Sequence, residues 1–111
     1  MSLHVHSLAL QAITQLRPAV LAIRRHDRSL AEQLRTALSS VALNIGEAEY
    51  SDPGTKRARL HTAAGSANES RSALAVAAAW QYVGERDVAE GLALLDRVLA
   101  MLFRLLHGGR R

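Results

Sequence analysis

The chain has 111 residues, enough for one domain that buries roughly two-thirds of its unfolded surface. Apolar residues make up 49% of it and aromatics only 4%; it has no cysteine, which excludes disulfides and thiolate metal sites. Thirteen arginines and one lysine leave a formal charge of +4, a basic excess that permits nucleic-acid contact without requiring it.

Alanine and leucine supply most of the apolar residues, a composition that favours helix over strand. The first helical pattern covers about residues 3–26, with Leu8, Ala12, Leu16, Val20 and Ile23 on one face. Pro18 lies inside it and predicts a kink near Thr14–Pro18. Asp27 or Ser29 can cap a second helix over 29–50, Ser29 forming a capping box with Glu32. After the turn Ser51-Asp52-Pro53-Gly54, Asp52 or Thr55 caps a third helix over 55–83, which Gly84 should terminate in the left-handed conformation. Asp87 then caps a fourth helix over 87–107, with Val88, Leu92, Leu95, Leu99, Leu102 and Leu106 on one face. Gly108-Gly109 should end it, and Arg110-Arg111 should fray. Short loops between four helices imply an all-α, antiparallel, up-down-up-down four-helix bundle forming one domain over residues 1–111. No run of about 18 apolar residues occurs, so a soluble, cytoplasmic protein without a membrane partner is expected.

The second and third helices each carry a polar stripe beside the apolar one. Gln33, Ser40, Asn44 and Glu47 share one face; Arg59, Thr62, Ser66 and Glu69 share the other. Folding about Asp52 should bring Ser40 to Gly65 and Ser66, and Asn44 to His61 and Thr62. Glu47 should pair with Arg59 or Arg57, and Glu69 with Arg35 or Arg71. Gln33, Arg35, Ser40, Asn44, Glu47, Arg59, Ser66 and Glu69 therefore read as a structural seam that fixes register.

Leu94, Val98, Met101 and Leu105 form a second apolar stripe on the fourth helix. A helix buried on one side needs only about a 100° stripe, so the surplus predicts a subunit interface shared with the outer stripe of the first helix. Arg24, Arg25, Lys56, Arg57 and Arg59 are the candidate nucleic-acid contacts. A di-metal carboxylate centre fails for want of any Glu-x-x-His. No glycine elbow presents a serine, and no glycine-rich loop could cradle phosphate. Neither an enzyme nor a cofactor nor a small-molecule substrate is expected.

Gln33-Leu34-Arg35-x-Ala37, Ser40-x-x-x-Asn44-Ile45-x-Glu47 and Gly65-Ser66-x-x-Glu69, in that order, resemble the four-helix-bundle family of 23S rRNA intervening-sequence proteins. The resemblance extends to Trp80-x-Tyr82 and the leucine-rich fourth helix. It implies a closed homopentamer, mostly without a defined biochemical activity. It also implies kinship with accessory proteins of diversity-generating retroelements, which engage nucleic acid through a basic surface. This chain departs from the usual Asn-Ile-Ala-Glu-Gly with Asn44-Ile45-Gly46-Glu47-Ala48, and its basic run resumes only at Lys56. The resulting expectation is a non-enzymatic, homo-oligomeric assembly or adaptor protein. Its alternative is a nucleic-acid-binding accessory protein whose basic rim, touching RNA or DNA, repeats around the oligomer.

Overall fold

The computed structural model describes residues 2–108; the expectations for Gly109, Arg110 and Arg111 lie outside the described residues. Four helices follow in order: α1 (Ser2–Arg24), α2 (Arg28–Ala48), α3 (Pro53–Ala79) and α4 (Glu85–His107). No strand occurs among the described residues. Each helix packs on its chain neighbours, and α1 also packs on α4, so the four close into a square.

Successive inter-helix contacts pair rising with falling residue numbers. Ser40 meets Ser66 while Glu47 meets Arg59, and Arg57 meets Leu106 while Arg71 meets Asp96. Both α2–α3 and α3–α4 are thus antiparallel. The buried face of α3 is Leu60, Ala63, Ala67, Ser70, Leu74 and Ala77, alternating steps of three and four. That heptad spacing suits shallow, left-handed bundle packing, and its small residues let neighbouring backbones come close. Val5, Ala12 and Ala19 with Ala9, Leu16 and Ile23 repeat the pattern on α1.

Helix ends follow local chemistry more than the expected boundaries. Asp27 caps α2, its carboxylate accepting the Leu30 amide at 2.9 Å, and Asp52 caps α3 by accepting from Thr55 at 2.9 Å. Pro53 at the first position of α3 has no amide to leave unsatisfied, so the helix begins two residues earlier than expected. Pro18 sits inside α1 without ending it. Its ring is on the exposed side, where the bond it removes from Thr14 can be replaced by water.

The end of α3 corrects the sequence reading. The helix stops at Ala79, and the left-handed residue is Gln81, with φ 65°, in place of Gly84. The Tyr82 amide donates to the Ala77 carbonyl and the Gln81 amide to that of Ala78, both at 2.9 Å. This is a Schellman closure with glutamine where glycine is usual. Gly84, extended at φ −86°, instead caps α4, and its amide donates to the Asp87 carboxylate at 3.3 Å.

The interface expectation is corrected at two positions. Val98 is fully buried and Leu94 nearly so, while Met101 and Leu105 are half-buried against the core. The reason is that α4 docks between two helices, and a doubly covered helix needs a wider apolar arc than a singly covered one. Gly91 marks the tightest point on the α1 side. A Cβ there would clash with both Cγ and Cδ2 of the buried Leu16.

Two glycine substitutions should therefore have opposite signs. Gly91→Ala should lower the melting temperature, because overpacking of about 1–3 kcal/mol, at its upper end for so close a contact, exceeds the roughly 1 kcal/mol gain in helix propensity. Gly65→Ala, with nothing within 4 Å of the added Cβ, should raise stability by about that 1 kcal/mol. Thermal melts of the two variants check both.

Candidate functional site

The polar stripes of α2 and α3 meet as a continuous chain of contacts. Ser66 donates its hydroxyl to Ser40 Oγ at 2.8 Å. Asn44 donates through Nδ2 to the Ser40 carbonyl at 2.9 Å and to Ser40 Oγ at 3.0 Å. Its Oδ1 accepts from Arg59 at 3.4 Å, and Arg59 pairs with Glu47 at 2.9 Å. One helical turn on, the buried hydroxyl of Ser70 donates to the Ser66 carbonyl at 2.9 Å. Among the described residues, no buried side-chain nitrogen or oxygen lacks a partner.

The expected Ser40–Ser66 and Glu47–Arg59 pairings thus form, whereas others resolve differently. Asn44 turns to Ser40 and Arg59 rather than to His61 and Thr62. Arg35 pairs with Glu32 on its own helix at 3.3 Å, and Arg71 reaches across to Asp96 on α4 at 3.1 Å. Glu69 and Gln33 are exposed, and Glu69 makes no ion pair among the described residues. The expected Glu69 pairing is therefore corrected: Glu69 and Arg71, two apart on one helix, point to different faces, and Arg71 instead meets the α4 carboxylate of Asp96.

The seam opens outward as a shallow groove of about 380 Å³ lined by Arg35, Thr36, Ser39, Ser40, Leu43, Asn44, Glu47 and Arg59. Ser40, Asn44, Glu47 and Arg59 along it are bonded to one another or to Ser66. At the start of α3, Asp52 has a lowered pKa; the Thr55 amide, then the Thr55 hydroxyl, stabilise its ionised form. A depressed carboxylate stabilises the fold at neutral pH, and its contribution disappears as pH falls below the usual carboxylate range. Among the described residues no three His, Asp or Glu side chains come together in a metal-binding group. No described helix is long and apolar enough to cross a membrane.

The five cations proposed for nucleic acid fall into two groups. Arg24 and Arg25 end α1, whereas Lys56, Arg57 and Arg59 begin α3, at the opposite end of a bundle 45 Å long. Arg57 donates to the Leu106 carbonyl at 2.8 Å and so caps the end of α4 from a distance. Arg59 is held by Glu47 and Asn44. Much of the charge at that rim therefore serves the fold.

The opposite end contains a feature that the sequence reading passed over. The His26 and Tyr82 rings stack at 4.9 Å and 3° between planes. Trp80 lies 6.2 Å from Tyr82 at 14°. His26 belongs to the α1–α2 loop and the other two to the α3–α4 connection, so only the fold brings them together. The spacing Trp80-x-Tyr82 was the one available signal.

Comparison with known proteins bears on the whole chain. Residues 4–104 match the model of the family described as 23S rRNA-intervening sequence protein. A crystal structure of a protein with unknown function from the S23 ribosomal protein family of Bacteroides thetaiotaomicron superposes with a TM-score of 0.85 at 16% identity. It covers 93% of this chain and 98% of that one. At that identity the likeness shows the fold alone. No curated protein matches the chain.

Weights along the seam can be measured. Asn44→Ala removes two donated bonds and one accepted bond at a part-buried site, and should cost about 1–2 kcal/mol. Glu47→Gln disrupts a half-exposed pair and should cost no more than about 1 kcal/mol. Urea titrations followed by circular dichroism would reverse this ranking if the ion pair, rather than the hydroxyl–amide cluster, held the hairpin.

Proposed function

Because the chain belongs to the 23S rRNA-intervening sequence protein family, we propose that it is a non-enzymatic assembly protein, a bundle whose copies join side to side. The resemblance implies a ring of five. One observation carries the reading: the bundle has an exposed apolar ridge on α1 and an apolar groove between α3 and α4.

The ridge is the outer face of α1. Leu10, Thr14, Arg17 and Leu21 share it, and Leu10 and Leu21 are each about half exposed. The groove lies between α3 and α4, with Leu74, Val88 and Leu92 as its floor and Ala75, Ala78, Ala79, Ala89 and Ala93 along its walls. It measures about 780 Å³. Alanine walls let another helix approach closely, and leucines spaced along a helix fill such a channel, as in ridges-into-grooves packing. Arg17 and Arg24 flank the ridge, whereas at the groove Arg71 pairs with Asp96 and leaves the Glu85 carboxylate as its unbalanced charge.

Ridge and groove differ, so copies joined through them are related head to tail. Such contacts close into a ring when the rotation per subunit allows and otherwise extend as a filament. This replaces the interface expected from Leu94 and Val98 while keeping the outer stripe of α1 and the fourth helix as its two halves. Satisfied polar contacts in the seam, rather than an unpaired acid or base, support a non-enzymatic role.

Light scattering and native mass spectrometry at micromolar concentration test assembly, and a wild-type monomer would end the idea. Leu21→Glu spoils the ridge and Ala89→Glu the groove, so each variant alone should be a folded monomer. Mixed, they retain one good ridge and one good groove, and should form a dimer and nothing larger. A two-fold symmetric interface predicts no such complementation.

A further inference from the structure

The chain's one tryptophan is two-thirds exposed, an unusual place for the largest apolar side chain. The core does not need it there. Tyr82 is half-buried against the core, and His26 already covers its ring. Trp80 adds a third, nearly parallel ring and leaves most of its own surface open.

The backbone beneath is strained to hold this arrangement. Gln81 separates the two aromatic residues at φ 65°, a left-handed conformation that glycine adopts freely and other residues adopt at a cost. Glutamine at that position adds an amide that both donates and accepts. Gln81, Tyr82 and Arg25 line one cleft of about 590 Å³ together with Val83 and Asp87. Arg24, Arg28 and Arg86 lie on the same end of the bundle, at the last turn of α1 and the first turns of α2 and α4. Of the nearby acids, Asp27 and Asp87 have carboxylates engaged in capping their helices. Glu85 is the remaining one.

Stacked rings with an open outer face, an amide beside them and guanidiniums around them match what an unpaired base and its phosphates require. We propose that Trp80, Tyr82 and His26 form a stacking platform for single-stranded nucleic acid, with Arg25 as the phosphate contact and Gln81 facing a base edge. An exposed indole offers its face to any base, so recognition is for single strands rather than for one sequence. A duplex hides its base faces and cannot use the platform. A single protomer suffices for contact with a strand, so the site itself does not require the ring proposed above.

Trp80 is the single tryptophan, so its fluorescence reports on the platform directly in the unmodified protein. Titration with single-stranded oligothymidylate or oligoadenylate of about a dozen nucleotides should quench its emission saturably, with affinity falling as salt rises. Anisotropy of the labelled strands should show Trp80→Ala weakening binding about tenfold or more, the effect expected for losing one stacked base. Arg25→Ala should weaken binding and flatten the salt dependence by about one phosphate contact. Lys56→Ala, at the far end, should leave both unchanged. Gln81→Gly should raise the melting temperature while weakening binding, a combination that a purely structural glutamine would not give. The proposal falls if strands leave Trp80 emission unmoved, if Trp80→Ala binds as the wild type does, or if duplex of the same sequence binds better than single strand. Capture of a protein without any response to oligonucleotides would equally overturn it.

Discussion

The hydroxyl contact between Ser40 and Ser66, 2.8 Å long, sets the register on which the rest of the bundle depends. Apolar heptads alone leave a helical hairpin free to slide by a turn, because leucine and alanine pack against one another in several alignments. Partly buried polar groups remove that freedom, since a slipped hairpin would break the Ser66–Ser40 and Arg59–Asn44 contacts and leave the Ser66 hydroxyl without its acceptor. An unsatisfied donor or acceptor at such depth costs about 1–3 kcal/mol. With α2 and α3 fixed, Arg57 reaches the end of α4 and Arg71 reaches Asp96, so the seam's alignment passes to the third interface. The same small side chains that let the helices approach also supply the bonds that hold their alignment.

That logic explains what the sequence could disclose. Stripes at steps of three and four place residues on a helix face with little ambiguity, and a turn of a few residues then determines which positions stand opposite. Ser40–Ser66 and Glu47–Arg59 were legible for this reason. Arg71 was not: Glu69, two residues before it on α3, points to a different face of the helix, and the partner it does find, Asp96, depends on how α4 is placed. The width of the apolar arc on α4 was read as surplus for a partner. It is largely consumed by two neighbours within the chain, as fully buried Val98 shows. The α3 terminus was misread because glycine is the usual signal for a left-handed closure, and here glutamine bears the strain. The aromatic stack joins residues more than fifty positions apart in sequence, and no periodicity announces such a meeting.

The two ends of the bundle have come to differ through these choices. At the α2–α3 turn, cations are drawn into the fold: Arg57 onto a helix-end carbonyl and Arg59 onto a carboxylate and an amide. Their positive charge, placed where a helix start disfavours it, is offset by those partners. At the other end the acids do the capping, and that leaves the guanidiniums of Arg24, Arg25 and Arg28 exposed. Reading basic residues by their position in sequence grouped Arg24 and Arg25 with Lys56, Arg57 and Arg59. Length separates them, since antiparallel helices of more than twenty residues put consecutive loops at opposite ends of a 45 Å rod.

That length also makes the two proposals compatible. The α1 ridge and the α3–α4 groove run along the sides of the rod, whereas the stack of Trp80, Tyr82 and His26 stands at one tip. Copies joined side to side in a head-to-tail ring would all point the same way, so every platform would fall on one rim and every Lys56–Arg59 cluster on the other. A single base on a single ring is a weak contact. A strand laid along a rim of identical platforms meets each successive one at a high effective concentration, and its affinity grows far beyond that of one protomer without any new kind of contact. Assembly would then set how strongly an unstructured strand is held, and the chemistry at each tip would set that the strand must be single.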